Sequence, residues 1–70
     1  MPDLVECHSG YQYADRPTAI FWEGQRYEVA EILKRWRTPG MIHFRVITTV
    51  EQSFDLRYDE HADVWFIEPV

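Results

Sequence analysis

Seventy residues allow one domain, and area scaling lets about 60% of the chain's surface leave water, enough for a small core only. A composition of 46% hydrophobic and 27% charged residues excludes a disordered tract. The size excludes a dinucleotide fold with a separate substrate domain, and the net charge of −5 weighs against non-specific DNA binding.

The first fifteen residues hold a short candidate edge strand, Leu4-Val5-Glu6-Cys7, and then a loop that carries Tyr11 and Tyr13. The start, MPDLVEC, lacks a basic region followed by an apolar one, so no signal peptide is expected. No apolar run approaches the roughly 18 residues that a membrane span needs. The lone cysteine, Cys7, has no internal partner, and this favours a reducing, cytoplasmic setting.

Ala19-Ile20-Phe21-Trp22 reads as a strand, and Glu23-Gly24-Gln25 as a tight turn in which Gly24 can take positive φ. Tyr27–Arg37 fits two patterns. Val29, Ile32, Leu33 and Trp36 fall at i, i+3, i+4 and i+7, which suits an amphipathic helix. As a strand, Tyr27 and Val29 share one face while Ile32, Lys34 and Trp36 follow out of phase. A single bulge between the two sets restores the alternation. The strand is favoured because Thr38-Pro39-Gly40 is a turn signal leading into another strand; the helix stays as the alternative.

Met41–Thr49 alternates, with Ile42, Phe44, Val46 and Thr48 against His43, Arg45 and Ile47. Ser53–Tyr58 and Asp63–Glu68 then flank Asp59-Glu60-His61-Ala62 as a hairpin with a four-residue loop. The fold class expected is all-β, about five antiparallel strands in one domain spanning 1–70, forming a strongly bent sheet or small partly open barrel. The alternative is α+β with a helix at 27–37. The expected core is Phe21, Tyr27, Val29, Ile32, Phe44, Val46, Phe54, Leu56, Val64 and Phe66, with at least one tryptophan. Eleven aromatic rings give so short a chain its apolar area.

The run Cys7-His8-Ser9-Gly10-Tyr11, then Arg16-Pro17, then F-W-x-G-x-x-Y-x-V-x-x-I-L-x-x-W from Phe21 to Trp36, closes with Leu56-Tyr58-Asp59 and Trp65. In these residues the chain resembles a group of short uncharacterised bacterial cytoplasmic proteins, a domain of unknown function. The resemblance spans most of the chain and implies a stand-alone β domain, a bent barrel of the Src-homology type, in the bacterial cytoplasm. It carries over no catalytic residue.

Candidate chemistry is sparse. Cys7 and His8 are neighbours on a strand and point to opposite faces, so they do not converge as a nucleophile pair. His8, His43 and His61 lack metal-ligand spacing, and the acidic loop with Asp55, Asp59, Glu60 and Asp63 lacks the glycine of a calcium turn. No phosphate loop or nucleophile elbow is present. The chain is therefore expected to be no enzyme, with no catalytic residue, metal or cofactor.

Charge is unevenly placed. Residues 24–50 hold Arg26, Lys34, Arg35, Arg37 and Arg45 against Glu28 and Glu31, a balance of +3, and the rest of the chain balances at −8. If 27–37 pairs with 41–49, Arg37 and Arg45 are expected on one surface, with Trp36 in the core rather than a stacking platform. The candidate partner surface is Arg26, Lys34, Arg35, Arg37 and Arg45 with Tyr11 and Tyr13. The leading reading is a non-catalytic module for a protein partner or self-association, and not for a membrane. The alternative is a nucleic-acid accessory domain using 34–37.

Overall fold

The structure, a computed structural model, describes Val5–Cys7 and residues 16–70. It is all-β. Strands β1 (Val5–Cys7), β2 (Pro17–Trp22), β3 (Gln25–Thr38), β4 (Met41–Thr48), β5 (Ser53–Asp59) and β6 (Val64–Pro69) run as an antiparallel meander in the order β1 to β6. The count is six rather than about five because the short segment Val5–Cys7 pairs with β2 as an edge strand. The helical alternative for 27–37 is excluded: the whole segment is strand.

Local chemistry sets the turns. Trp22 pairs directly with Gln25, leaving a two-residue loop in which Glu23 has φ 48° and Gly24 φ 80°. Positive φ at both positions is the twisted hairpin turn that matches the right-handed twist of the strands. Thr38 pairs with Met41 across Pro39-Gly40, with Gly40 at φ 75°. Proline followed by a positive-φ glycine is the pairing that type II turns favour. The β4–β5 turn is held by Thr48, whose buried Oγ1 accepts from Gln52 N at 3.3 Å, and by Thr49 N, which donates to Glu28 O at 3.0 Å.

The sheet curls into a half-barrel around one core. Trp22 and Tyr27 each bring their ring centroid to 5.9 Å from Phe54 on β5, contacts a flat sheet of this order forbids. Phe44, Val46, Phe54 and Leu56 are fully buried, as the alternation implied, together with Val5, Ile20, Ile42, Tyr58 and Trp65. Tyr27, Val29, Ile32 and Ile67 pack against them half-buried.

Three expected core positions are corrected. Phe21 is half-buried on the opposite side of β2 from the fully buried Ile20 and stands outside the core cluster. Val64 and Phe66 are exposed, at 42% and 44%, while Trp65 and Ile67 take the core side of β6. Pairing explains the exchange. Residues directly opposite in an antiparallel ladder share a face, and Tyr58 pairs with Trp65 and Leu56 with Ile67. The connecting loop is 60–63 rather than 59–62, closed by Asp63 at φ 55° and by the Tyr58 hydroxyl, which donates to Asp63 Oδ1 at 2.6 Å.

Strand β3 carries two irregularities where one was expected. Ala30 is skipped between the Val29–Thr48 and Glu31–Ile47 pairs, and Leu33 between Ile32–Val46 and Lys34–Arg45. The first bulge returns Ile32 to the core face in phase with Val29. The second shifts the phase again, so Trp36 pairs with His43 on the outer face and is not core.

Candidate interaction surface

The double bulge divides the predicted basic cluster between two faces. Arg35 pairs with Phe44 and Arg37 with Ile42, so both arginines sit on the core side of β3 near its open end. Lys34 pairs with Arg45 and lies on the outer face with Trp36. Arg37 and Arg45 therefore do not share one surface, which corrects the expectation. Arg26 stands apart, on the stretch of β3 that pairs with β2. Tyr11, Tyr13 and His8 lie outside the described residues.

Most of these cations are already engaged. Arg26 Nε meets Glu6 at 3.0 Å, and its Nη1 meets Glu28 at 3.4 Å. Arg37 meets Glu60 at 3.0 Å and Arg57 meets Glu68 at 3.0 Å. Arg45 donates two hydrogen bonds to Asp55, Nε to Oδ1 at 2.7 Å and Nη2 to Oδ2 at 2.9 Å. Such bidentate pairs fix orientation as well as neutralise charge.

Lys34 and Arg35 have only aromatic company. The Lys34 ammonium stands 5.2 Å from the Trp36 ring centroid, and the Arg35 guanidinium 5.7 Å from that of Phe44. Arg16, at the start of β2, likewise has no carboxylate partner among the described residues. The sequence reading missed Arg16 as a surface cation, because nothing local separates it from the acidic background.

These three cations follow one stretch of backbone. Strand β2 pairs with β3 only over Gln25–Glu28 and then diverges. From Ala30 to Thr38, β3 is paired with β4 on one side, and no strand among the described residues lies along its other side. A cleft of about 230 Å³ opens at the fork, lined by Arg16, Pro17, Thr18, Val29, Ala30 and Ile32. A second, of about 240 Å³, lies further along the same strand, lined by Arg35, Trp36, Arg37 and Ile42. Leu33, the second bulge residue, is 50% exposed between them.

The outer face also carries a row Trp36–His43–Arg57–Phe66 across β3 to β6. Trp36 and His43 stack at 5.0 Å with 6° between their planes, and Arg57 lies 5.3 Å over Phe66. The His43 Nε2 is 2.8 Å from the Thr38 hydroxyl. With His43 and Lys34 both against it, the Trp36 indole is a poor base-stacking platform.

Among the described residues, no group of three metal-ligating side chains gathers, and no helix is long and apolar enough to cross a membrane. Cys7 is half-buried on the edge strand β1.

The Arg45–Asp55 pair has a pH signature. Hydrogen bonding from Arg45 is the main cause that holds the Asp55 carboxyl below its ordinary value; partial burial opposes this, and the charges of Arg45, His43 and Arg57 add to the lowering. A carboxyl lowered in the folded state adds stability above its unfolded pKa of about 3.9 and loses it as pH falls through the folded value. Asp55→Asn should therefore flatten the acid limb of thermal stability below about pH 4 and leave its shape above pH 6 unchanged. A melting series in which wild type and variant fall in parallel below pH 4 contradicts the assignment.

Fold and surface together define a small all-β domain: among the described residues, a curled six-stranded meander with a basic edge on β3 that no described strand covers. Comparison with protein-family models, with curated proteins and with solved structures finds no match to this chain.

Proposed function

We propose that the protein is a non-catalytic binding module that recognises an acidic protein through the open side of β3. One observation carries this. Among the described residues, Lys34 and Arg35 have no carboxylate partner and lie on the stretch of β3 that no described strand flanks on one side, and Arg16, likewise without one, lines the cleft at its start, whereas Arg26, Arg37, Arg45 and Arg57 are neutralised within the molecule. On a chain of net charge −5, a free basic stripe steers oppositely charged partners to one place. The reading goes with a reducing bacterial cytoplasm, which the lone Cys7 and the family resemblance favour, and it needs no metal or cofactor. A nucleic-acid role for 34–37 is the second reading. Lys34 beside Trp36 favours it, and the internal pairing of Arg37 and Arg45 weighs against it.

The test compares wild type with Lys34→Glu plus Arg35→Glu for binding of polyglutamate at low salt. The double reversal should weaken binding at least about tenfold while the far-ultraviolet dichroism is unchanged, since both side chains are exposed. Equal binding by the two proteins removes this surface from the proposal. Tighter binding of oligo-dT than of polyglutamate gives the site to nucleic acid instead.

A further inference from the structure

The open side of β3 presents backbone as well as charge, and the register shows which groups face outward. A two-residue turn makes Thr38–Met41 a pair that exchanges both backbone hydrogen bonds. In an antiparallel ladder such pairs alternate with pairs that do not, so Trp36–His43 exchanges bonds and Arg35–Phe44 and Arg37–Ile42 do not. The N–H and C=O of Arg35 and Arg37 therefore point away from β4, toward the side on which no described strand lies.

We infer that this edge accepts an extended acidic peptide as an added antiparallel or parallel strand, with Arg35 and Arg37 supplying the backbone pairing. The inference rests on the binding-module reading above and specifies its mode. Three observations select this occupant. The edge offers unpaired main-chain donors and acceptors in alternate positions, which is what strand addition uses. On the core side of this edge Arg35, which has no carboxylate partner among the described residues, complements carboxylates. The two clefts open beside the same strand, one at Val29, Ala30 and Ile32 and the other at Arg35, Trp36 and Arg37, and offer room for two separated side chains of an added strand.

The same arrangement restricts what pairs. Lysine and arginine on an exposed edge discourage edge-to-edge aggregation while leaving the edge open to an acidic segment. An added strand places its residues opposite Arg35 and Arg37 on the core side of the sheet and the residue between them beside Trp36 on the outer side. Alternating acidic and apolar residues satisfy both sides.

The test uses the full chain and two capped peptides of alternating glutamate and valine. One has an ordinary backbone; the other is N-methylated at alternate residues along the pairing edge. The first should bind, and on binding the amide hydrogens of Arg35 and Arg37 should exchange at least about tenfold more slowly, while those already paired with β4 change little. The N-methylated peptide, with the same charges but fewer backbone donors, should bind at least about tenfold more weakly. Equal binding of the two peptides without slowed exchange at Arg35 and Arg37 overturns strand addition and leaves the acidic-partner reading standing. Binding of neither peptide, with no response to polyglutamate, overturns both. Oligo-dT, which has charge but no peptide backbone, should leave the Arg35 and Arg37 exchange rates unchanged; slowing by oligo-dT also overturns the inference.

Discussion

Phe54→Ala should cost about 3–5 kcal/mol of stability, the range for emptying a buried aromatic site. Phe54 is fully buried at the point where the curl closes: Trp22 from β2 and Tyr27 from β3 both rest on its ring at 5.9 Å. Its loss therefore leaves more than a cavity, because it removes the group on which the β2–β3 hairpin docks. A chain of this size commands roughly 4–10 kcal/mol in all, at about 0.05–0.15 kcal/mol per residue. The variant is thus expected to lose between about a third and all of that stability. Urea denaturation followed by tryptophan fluorescence measures it. A loss under about 1 kcal/mol means that β2 and β3 do not close onto β5 as described.

The second large effect separates the two sides of β6. Trp65 is 6% exposed and packs its ring, tilted, against Tyr58 at 5.0 Å and Phe44 at 6.0 Å between centroids. Trp65→Ala should cost about 3–5 kcal/mol. Phe66, next in the chain, is 44% exposed and touches the Arg57 guanidinium. Phe66→Ala should cost less than about 1 kcal/mol, as a partly exposed ring with one cation above it. The contrast is a sharper test than either value alone, since both variants change the same strand by a similar amount. Equal losses, or a reversed order, indicate that β6 pairs one residue out of the described register. The Trp65 Nε1 is buried without a hydrogen-bond partner among the described residues, so part of the tryptophan's packing gain offsets an unsatisfied donor.

Much of the architecture is legible in the residues. The alternation in β4 and β5 matches the observed burial at every position from Ile42 to Thr48 and from Phe54 to Tyr58. Both two-residue turns are readable from Gly24 and from Pro39-Gly40, because positive φ at those points suits glycine. Where reading fails, the local signal is symmetric. Val64, Trp65, Phe66 and Ile67 are all apolar, so period two shows a strand and does not say which side is wet. Ile20 and Phe21 present the same ambiguity. The position of the charged residues is equally hard to read, since most internal ion pairs join residues ten or more positions apart, such as Arg37 with Glu60 and Arg45 with Asp55.

The sequence by itself favours an all-β chain and determines its two-residue turns, the inner face of the two central strands and the excess of positive charge in its middle. Each of these depends on residues a few positions apart. The tertiary structure alone decided that β3 takes two bulges rather than one. A bulge sits where a strand must change partners, from β2 at Glu28 to β4 at Val29, and must bend to follow the curl. That decision turned Lys34 and Trp36 outward and Arg35 and Arg37 to the core side. It also left the far side of β3 without a described neighbour, which is where the proposed partner binds.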